Sequence, residues 1–213
     1  VSASTVSNLV KAIEPKVEAF RNRPLGRFRY VIVDARFDKV RQEHRVVSRA
    51  FLWAAGVPWG GQREVLGFLD WPGETERAWA EFFRQLKGRG LEGVEMVVSD
   101  AHGGLVKATE EAFPGAMWQE CQTHFMRRAL DLVRDTDKAK VHEDLRLVLQ
   151  ASSRERALEE KALVEKHWRS KYPKLTDTLE AHFESVLAVL NVPEGHRKRL
   201  RTTNHVERVN QEL

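Results

Sequence analysis

Three acidic residues draw attention by where they fall. Asp34 closes the apolar run "YVIVD", Asp100 closes "MVVSD", and Glu207 follows Asn204 in "TTNHVERVNQEL". Carboxylates brought to one place repel each other, and the usual remedies are a shared proton or a divalent cation. A hard cation such as Mg²⁺, or Mn²⁺ in its place, takes oxygen ligands from one or two carboxylates and fills its shell with water and substrate phosphate oxygens. Two such ions about 4 Å apart can activate an attacking oxygen and stabilise a leaving one, which is the chemistry of phosphodiester cleavage. Each acid also has a purely structural reading. Asp34 can pair with Arg36 or Arg41, Asp100 can cap a helix that begins near Gly103, and Glu207 can complete a capping box with Asn204. Asp38 is expected in a turn beyond the first apolar run and outside the metal shell.

Other residues could serve the same chemistry. Cys121 and His124 in "WQECQTHF" have the spacing of half a zinc site, but no second pair of ligands accompanies them. A Cys/His nucleophilic pair is a further option, and a packing or site-shaping role is the plainer one. Trp118 is a core residue by default or a platform on which an unpaired base could stack. "HRKRLR" is the densest basic run, and its Arg197, Lys198, Arg199 and Arg201 could hold a phosphate backbone. Lys39, Arg41 and Arg127 are weaker candidates for the same task. A solvated surface is the ordinary explanation of such charges.

The elements that must position these groups follow from hydrophobic period. "VSASTVSNLVKAIEPKVEAFRNRP" carries helix-spaced Val6, Leu9, Val10 and Ile13 behind Ser and Thr caps, with breaks expected at Pro15 and Pro24. "RFRYVIVDA", "RVVSRAFLWAAGV" and "REVLGFLDW" are β-branched and aromatic runs separated by a charged turn around Lys39 to Glu43 and by "PWGGQ", as in an antiparallel meander. Two αβ units come next: "ETERAWAEFFRQLKGRG" with "VEMVVSD", then "GGLVKATEEAF" with "AMWQECQTHF" running on into a helix. From about Phe125 to Pro193 the chain reads as helices rich in Glu, Lys, Arg and Leu, with Pro173 opening the last long one. A meander followed by two αβ units predicts an α/β fold with a mixed five-stranded sheet and helices on both faces. A right-handed crossover that returned the fourth strand beside the first would set Asp34 next to Asp100. Past Asn204, Val206, Val209 and Leu213 would make one side of a final helix apolar, with Glu207, Asn210 and Gln211 on the polar side.

Length and charge set loose bounds. The 213 residues, 42% hydrophobic, suffice for one well-cored domain with an insertion or for two small domains. With 35 Lys and Arg against 31 Asp and Glu, the net charge of +4 permits a nucleic acid partner without requiring one. A single cysteine rules out an internal disulfide framework and fits a reducing cytosol, and no apolar run approaches a membrane span. The chain starts on Val and stops inside an apparent helix, as expected of a fragment of a longer protein.

"VDARFDKVR", "GRGLEGVEMVVSDAHGGLVKA", "FPGAMWQECQTHFMRR", "KYPKL" and "LRTTNHVERVNQEL", in this order and at these spacings, resemble the Mutator-like DDE transposases of bacterial insertion sequences. The resemblance is close over residues 24 to 135 and 196 to 213 and looser between. It implies an RNase H-like core in which Asp34, Asp100 and Glu207 are the catalytic triad and bind two Mg²⁺ or Mn²⁺ ions. It implies four parts: a linker helix or helix-turn-helix remnant over 1–24, the first part of the core over 25–124, an all-helical insertion over 125–195, and the truncated final catalytic helix over 196–213. DNA cleavage and strand transfer at transposon ends follow from it, with terminal inverted repeats and target DNA as partners. So do a homodimer on DNA and a bacterial, nucleoid-associated location. Cys121, His124 and Asn204 then shape the active site. At Glu120 and Arg128 the chain departs from the family's usual Arg and Asn. A hydrolytic RNase H-like nuclease or junction resolvase, or a non-catalytic DNA-binding descendant, are the competing readings.

Overall fold

A computed structural model describes residues 2–203. Three strands form the meander: β1 (Phe28–Gln42), β2 (Arg45–Pro58) and β3 (Glu64–Trp71). Two further strands, β4 (Met96–Ser99) and β5 (Met117–Glu120), complete one sheet of order β3-β2-β1-β4-β5. The meander strands pair antiparallel, whereas β1 with β4 and β4 with β5 pair parallel, so the crossover from the meander lands β4 beside β1 as expected.

Helices cover both faces. α2 (Glu76–Gly88) and α3 (Gly103–Ala112) bury Trp79, Phe82, Phe83 and Leu105 against Val31, Val33 and Val97. Thr75 starts α2 by accepting the Ala78 N–H at 3.1 Å, and each large side chain sealed here stabilises the fold by about 1.5–3 kcal/mol. The opposite face, with Tyr30, Ile32, Met96 and Val98, packs on Val189, Val192 and Leu200. Val189 sits in a short 3₁₀ turn (Ala188–Asn191), Val192 in the link after that turn, and Leu200 at the end of α8 (Glu194–Leu200).

Between β5 and α8 the chain is helical: α4 (Gln122–Leu130), α5 (Asp135–Leu149), α6 (Arg154–Trp168) and α7 (Pro173–Leu187) share a second core around Phe125, Leu145, Leu175 and Leu179. A polar staple joins that core to the sheet. Gln119 donates to the Val186 carbonyl at 2.9 Å and accepts the Val189 N–H at 2.6 Å, and Gln122 donates to the Leu149 and Val186 carbonyls at 3.0 and 2.9 Å. Glu120, fully buried, is held by Arg128, by His182 at 2.7 Å and by Ser185 at 2.8 Å. Glu120 and Arg128 therefore pair with each other.

Four local expectations need correction. β1 does not end at Asp34 but continues eight residues to Gln42, because residues 38–49 form a two-stranded arm whose faces both meet water and tolerate charge. The turn is confined to Glu43 and His44, both with positive φ (47° and 65°), as a tight two-residue hairpin requires. Asp38 accordingly sits in the strand, opposite Arg49, and pairs with Arg36 at 2.9 Å. Pro15 does not break the first helix either. α1 (Ala3–Asn22) runs through it, although the ring removes one backbone donor, and Val6, Leu9, Val10 and Ile13 remain 50–59% exposed. No helix among the described residues is long and apolar enough to cross a membrane.

α2 and α3 meet at Gly104, where an added Cβ would lie 2.6 Å from the Glu76 backbone nitrogen. Gly103, one residue earlier in the same helix, has nothing within 4 Å of its Cβ position. Gly103→Ala is expected to be neutral or stabilising by up to about 1 kcal/mol. Gly104→Ala is expected to lower stability by about 1–3 kcal/mol despite the same propensity gain, since backbone must move. Urea denaturation of the two variants checks the contrast, and equal midpoints would show that α2 and α3 are not in contact there.

Candidate active site

Register places the first two acids. Tyr30, Val31 and Ile32 pair with Met96, Val97 and Val98, and the same offset of 66 residues carried two steps further sets Asp34 beside Asp100. Neighbouring strands lie about 4.8 Å apart, and side chains alternate, so both acids fall on the face that carries Ile32 and Val98. Asp34 is buried at 8% exposure and lies across from Trp53 of β2. The Trp53 indole nitrogen is buried with no hydrogen-bond partner among the described residues. One oxygen of Asp100 accepts the His102 backbone N–H at 3.2 Å, which realises part of its capping reading without using the rest of the carboxylate.

Cys121 continues β5 to the position beside Asp100, and its N–H donates to the Ser99 carbonyl at 2.6 Å. The sulfur accepts from both the backbone N–H and the hydroxyl of Thr203, each at 3.3 Å. Burial pushes the thiol up, but hydrogen bonds from His124 and Thr203 outweigh it and the net shift is downward. His124 is raised, first by its bond to Cys121 and further by the charges of Asp34 and Asp100, against the opposing effect of burial. The Cys-x-x-His element thus joins the two acids to the chain segment that leads toward Asn204 and Glu207. Those two residues lie outside the described ones, as does the final helix expected beyond them.

A further acid was not singled out from sequence. Glu74 lies in the connection before α2, where the fully buried Trp79 donates its indole N–H to Glu74 Oε1 at 3.1 Å. His102 Nδ1 stands 3.7 Å from the same oxygen. Burial, and then the charge of Asp100, push the Glu74 carboxyl up, against the pull of Trp79, His102 and His124. Only its order in "PGETERAW", acid before the Thr75 cap, hinted at a special position. The donor set is therefore hard oxygen with surplus negative charge, which suits a divalent cation of the Mg²⁺ or Mn²⁺ kind. Among the described residues no group of three or more His, Cys, Asp or Glu could hold a metal ion.

The candidate DNA-contacting residues separate into groups. Arg197 donates to the carbonyls of Val192, Ser152 and Leu190 at 2.8–3.0 Å, and Arg201 to that of Leu149, so both guanidiniums close helix ends. Lys198 and Arg199 are exposed on α8. Arg127 is exposed and lines a hollow of about 500 Å³ with Thr123, Arg146 and Thr202. Lys39 and Arg41 are exposed on the two-stranded arm, where alternation turns them to the face opposite Asp34. Trp118 pairs with Val97, so it too falls on the α2/α3 face, with its indole N–H on Ser99 Oγ at 2.9 Å. The structure does not bring it to the carboxylates.

An acid whose folded-state pKa is raised loses stability as pH climbs from the ordinary carboxylate range through the raised value. Glu74→Gln keeps an acceptor for Trp79 and removes the charge. It is expected to raise the melting temperature by a few degrees at about pH 7.5 and to lose that advantage at about pH 4. Thermal denaturation across that range checks the sign; a difference that does not vary with pH would mean that Glu74 carries no excess charge.

The whole chain, residues 1–213, matches the family model "Transposase, Mutator family". It is 39% identical over its full length to the transposase for insertion sequence element ISRM5 of Rhizobium meliloti, covering 54% of that protein. It is 36% identical to the transposase for IS256 in transposon Tn4001 of Staphylococcus aureus and 35% identical to that for IS1081 of Mycobacterium tuberculosis, covering 55% and 52% of them. The chain thus spans about half the length of the curated relatives it matches. By both comparisons, it belongs to the Mutator family of transposases.

Proposed function

We propose that this segment is the catalytic part of a DDE transposase, cleaving DNA and transferring strands at the ends of an insertion sequence. The observation that carries the reading is the parallel register of β1 and β4, which, continued two residues past Ile32 and Val98, brings Asp34 and Asp100 together on one face where β4 stops and β1 continues. Thr203, four residues before Glu207, is fastened to Cys121 beside that pair, which favours Glu207 as the third acid. The strand order, with helices on both faces, supports an RNase H-like core. α4 to α7, with a core of their own between β5 and the Glu207 segment, support a helical insertion. Parts divided at residues 24, 124 and 195 remain the working description, with α1 as linker or helix-turn-helix remnant.

Asp34, Asp100 and Glu207 would hold two Mg²⁺ or Mn²⁺ ions. Bound there, the ions would supply a more acidic water and charge neutralisation at the scissile phosphate. Asp34 keeps its place through burial in the sheet, and Asp100 through the His102 N–H. The Trp53 indole, opposite Asp34, offers a donor to a phosphate oxygen. Cys121 and His124 shape the site by tethering Thr203, and Asn204 opens the segment that bears Glu207. Reaction then depends on positioning and electrostatics, without a covalent protein intermediate. The partners are terminal inverted repeats and target DNA, held by a homodimer at the nucleoid.

The test uses the full protein containing this segment, a labelled transposon-end duplex and Mg²⁺. Asp34→Asn, Asp100→Asn and Glu207→Gln are each expected to cut cleavage and strand transfer by at least about a hundredfold while leaving the melting temperature close to wild type. Near-normal cleavage by Glu207→Gln would leave that residue a helix cap. Cleavage without any joined product would favour a purely hydrolytic nuclease.

A further inference from the structure

The start of β1, at Phe28, is flanked by arginines and by an aromatic side chain that folding leaves half outside. Trp59, in the "PWGG" connection between β2 and β3, is 52% exposed. The guanidinium carbons of Arg29 and Arg27 lie 4.7 and 5.7 Å from its ring centroid. The connection curls tightly, since a Cβ on Gly61 would come within 2.6 Å of the Pro58 ring.

Arg63 and Arg199 adjoin this aromatic. Arg63 donates through Nη2 to the Arg199 carbonyl at 3.1 Å, while its Nε is buried without a partner among the described residues. Burial and the charge of Arg199 both push the Arg63 pKa down, so this corner is short of negative charge. Two hollows meet here and share Val57 and Arg199. One, of about 240 Å³, lies between Trp59 and His196; the other, of about 380 Å³, is lined by Gln62 and Arg63. The Tyr30 hydroxyl and His196 Nδ1, 2.8 Å apart, tie α8 to the sheet beneath them.

Of the basic groups on this corner, Arg29 is paired, with Glu95 at 2.6 Å. An exposed indole is a stacking platform for any base, and paired guanidiniums with an orphaned N–H suit a phosphodiester oxygen. We propose that this corner is a second DNA contact, holding an unpaired strand with a base on Trp59 and the flanking phosphates at Arg63 and Arg199. The proposal rests on the transposase reading only for the identity of the polymer. Tyr30 precedes Asp34 by four strand residues, about 13 Å. At about 3.4 Å per stacked nucleotide, the contact stands at least roughly four nucleotides from the paired acids.

The experiment is equilibrium binding of fluorescein-labelled oligothymidylate, and of a duplex of equal length, to the full protein in EDTA at several salt concentrations. Trp59 and Arg199 are both exposed, so Trp59→Ala and Arg199→Gln leave the fold intact. Trp59→Ala is expected to weaken single-strand binding about tenfold, with Trp59→Phe restoring most of it. Arg199→Gln is expected to reduce the slope of log affinity against log salt by about 0.7. Lys138→Gln, on the remote surface of α5, should change neither. Unaltered single-strand affinity in Trp59→Ala would overturn the proposal, as would an equal loss on duplex, whose paired bases cannot stack. Loss of self-association with DNA affinity intact would assign the corner to a protein partner and overturn it too. The outcome is separable from the catalytic reading: normal cleavage by Asp34→Asn would sink that reading alone, and normal DNA binding by the corner variants would sink this one alone.

Discussion

Everything at the candidate site depends on the parallel register between β1 and β4. A slip of one residue would turn one carboxylate to the α2/α3 face and leave the other alone. The register is held by burial on both sides, with Val31, Val33 and Val97 sealed under α2 and α3 and Ile32 and Val98 under the 3₁₀ turn and α8. Such two-sided burial makes misregistration costly, because each shifted side chain would exchange one packed environment for another of different shape. The fold can therefore keep two like charges together at the price of local repulsion, while the nearby Glu74 carboxyl is pushed up first by its own burial and then by the charge of Asp100.

The helical unit serves the same geometry from the other direction. Its attachment to the sheet is polar, through Gln119, Glu120 and Gln122, and every carbonyl or carboxylate in that staple has a partner. Buried polar networks that are fully satisfied fix one orientation, whereas apolar contacts alone allow sliding. Arg197 and Arg201 extend the principle by closing the ends of helices near Val192 and Leu149. The chain leaving α8 consequently reaches Cys121 at a defined position, with the Gln122 N–H on the Arg201 carbonyl at 2.9 Å and Thr203 on the thiol. A long excursion of about eighty residues thus returns to the edge of the sheet where it began.

How much of this was legible in the sequence depends on which forces are local. The five strands, α2 and α3 announced themselves by period, the stretch beyond Phe125 as helical with only the start of α7 marked by Pro173, and Asp34 and Asp100 by closing apolar runs. The arm beyond Asp34 was hidden because a strand exposed on both faces has no alternation to read; "RFDKVRQE" has the composition of a turn. Glu74 was hidden because its burial is tertiary, set by Trp79 and by the approach of α3 at Gly104. The run "HRKRLR" was legible only in part, since Arg197 and Arg201 bind carbonyls while Lys198 and Arg199 are exposed. Charge density is visible in sequence, but whether a guanidinium meets solvent or a carbonyl is decided by helix ends that are remote along the chain. Glu207 and Asn204 stay with the sequence reading, since they lie outside the described residues.

Two clusters along the first half of β1 now differ in sign. Asp34 gathers with Asp100 and Glu74, and Arg27, Arg29, Arg63 and Arg199 lie near the start of the strand, separated by about four strand residues, or about 13 Å. That exceeds the Debye length of about 8 Å at physiological salt, so the guanidiniums do little to neutralise the acids through solvent. Each cluster must instead find its own counterion, and the ligands that would satisfy them are opposite in kind: cations at the acids and phosphates at the arginines. A DNA strand with divalent ions supplies both at once. On that view the net charge of +4 understates the protein's affinity for a polyanion, because the charges are sorted in space rather than mixed. Sorting would also give direction, since a strand gripped at the arginines as proposed would meet the acids only where a cation had reversed their sign.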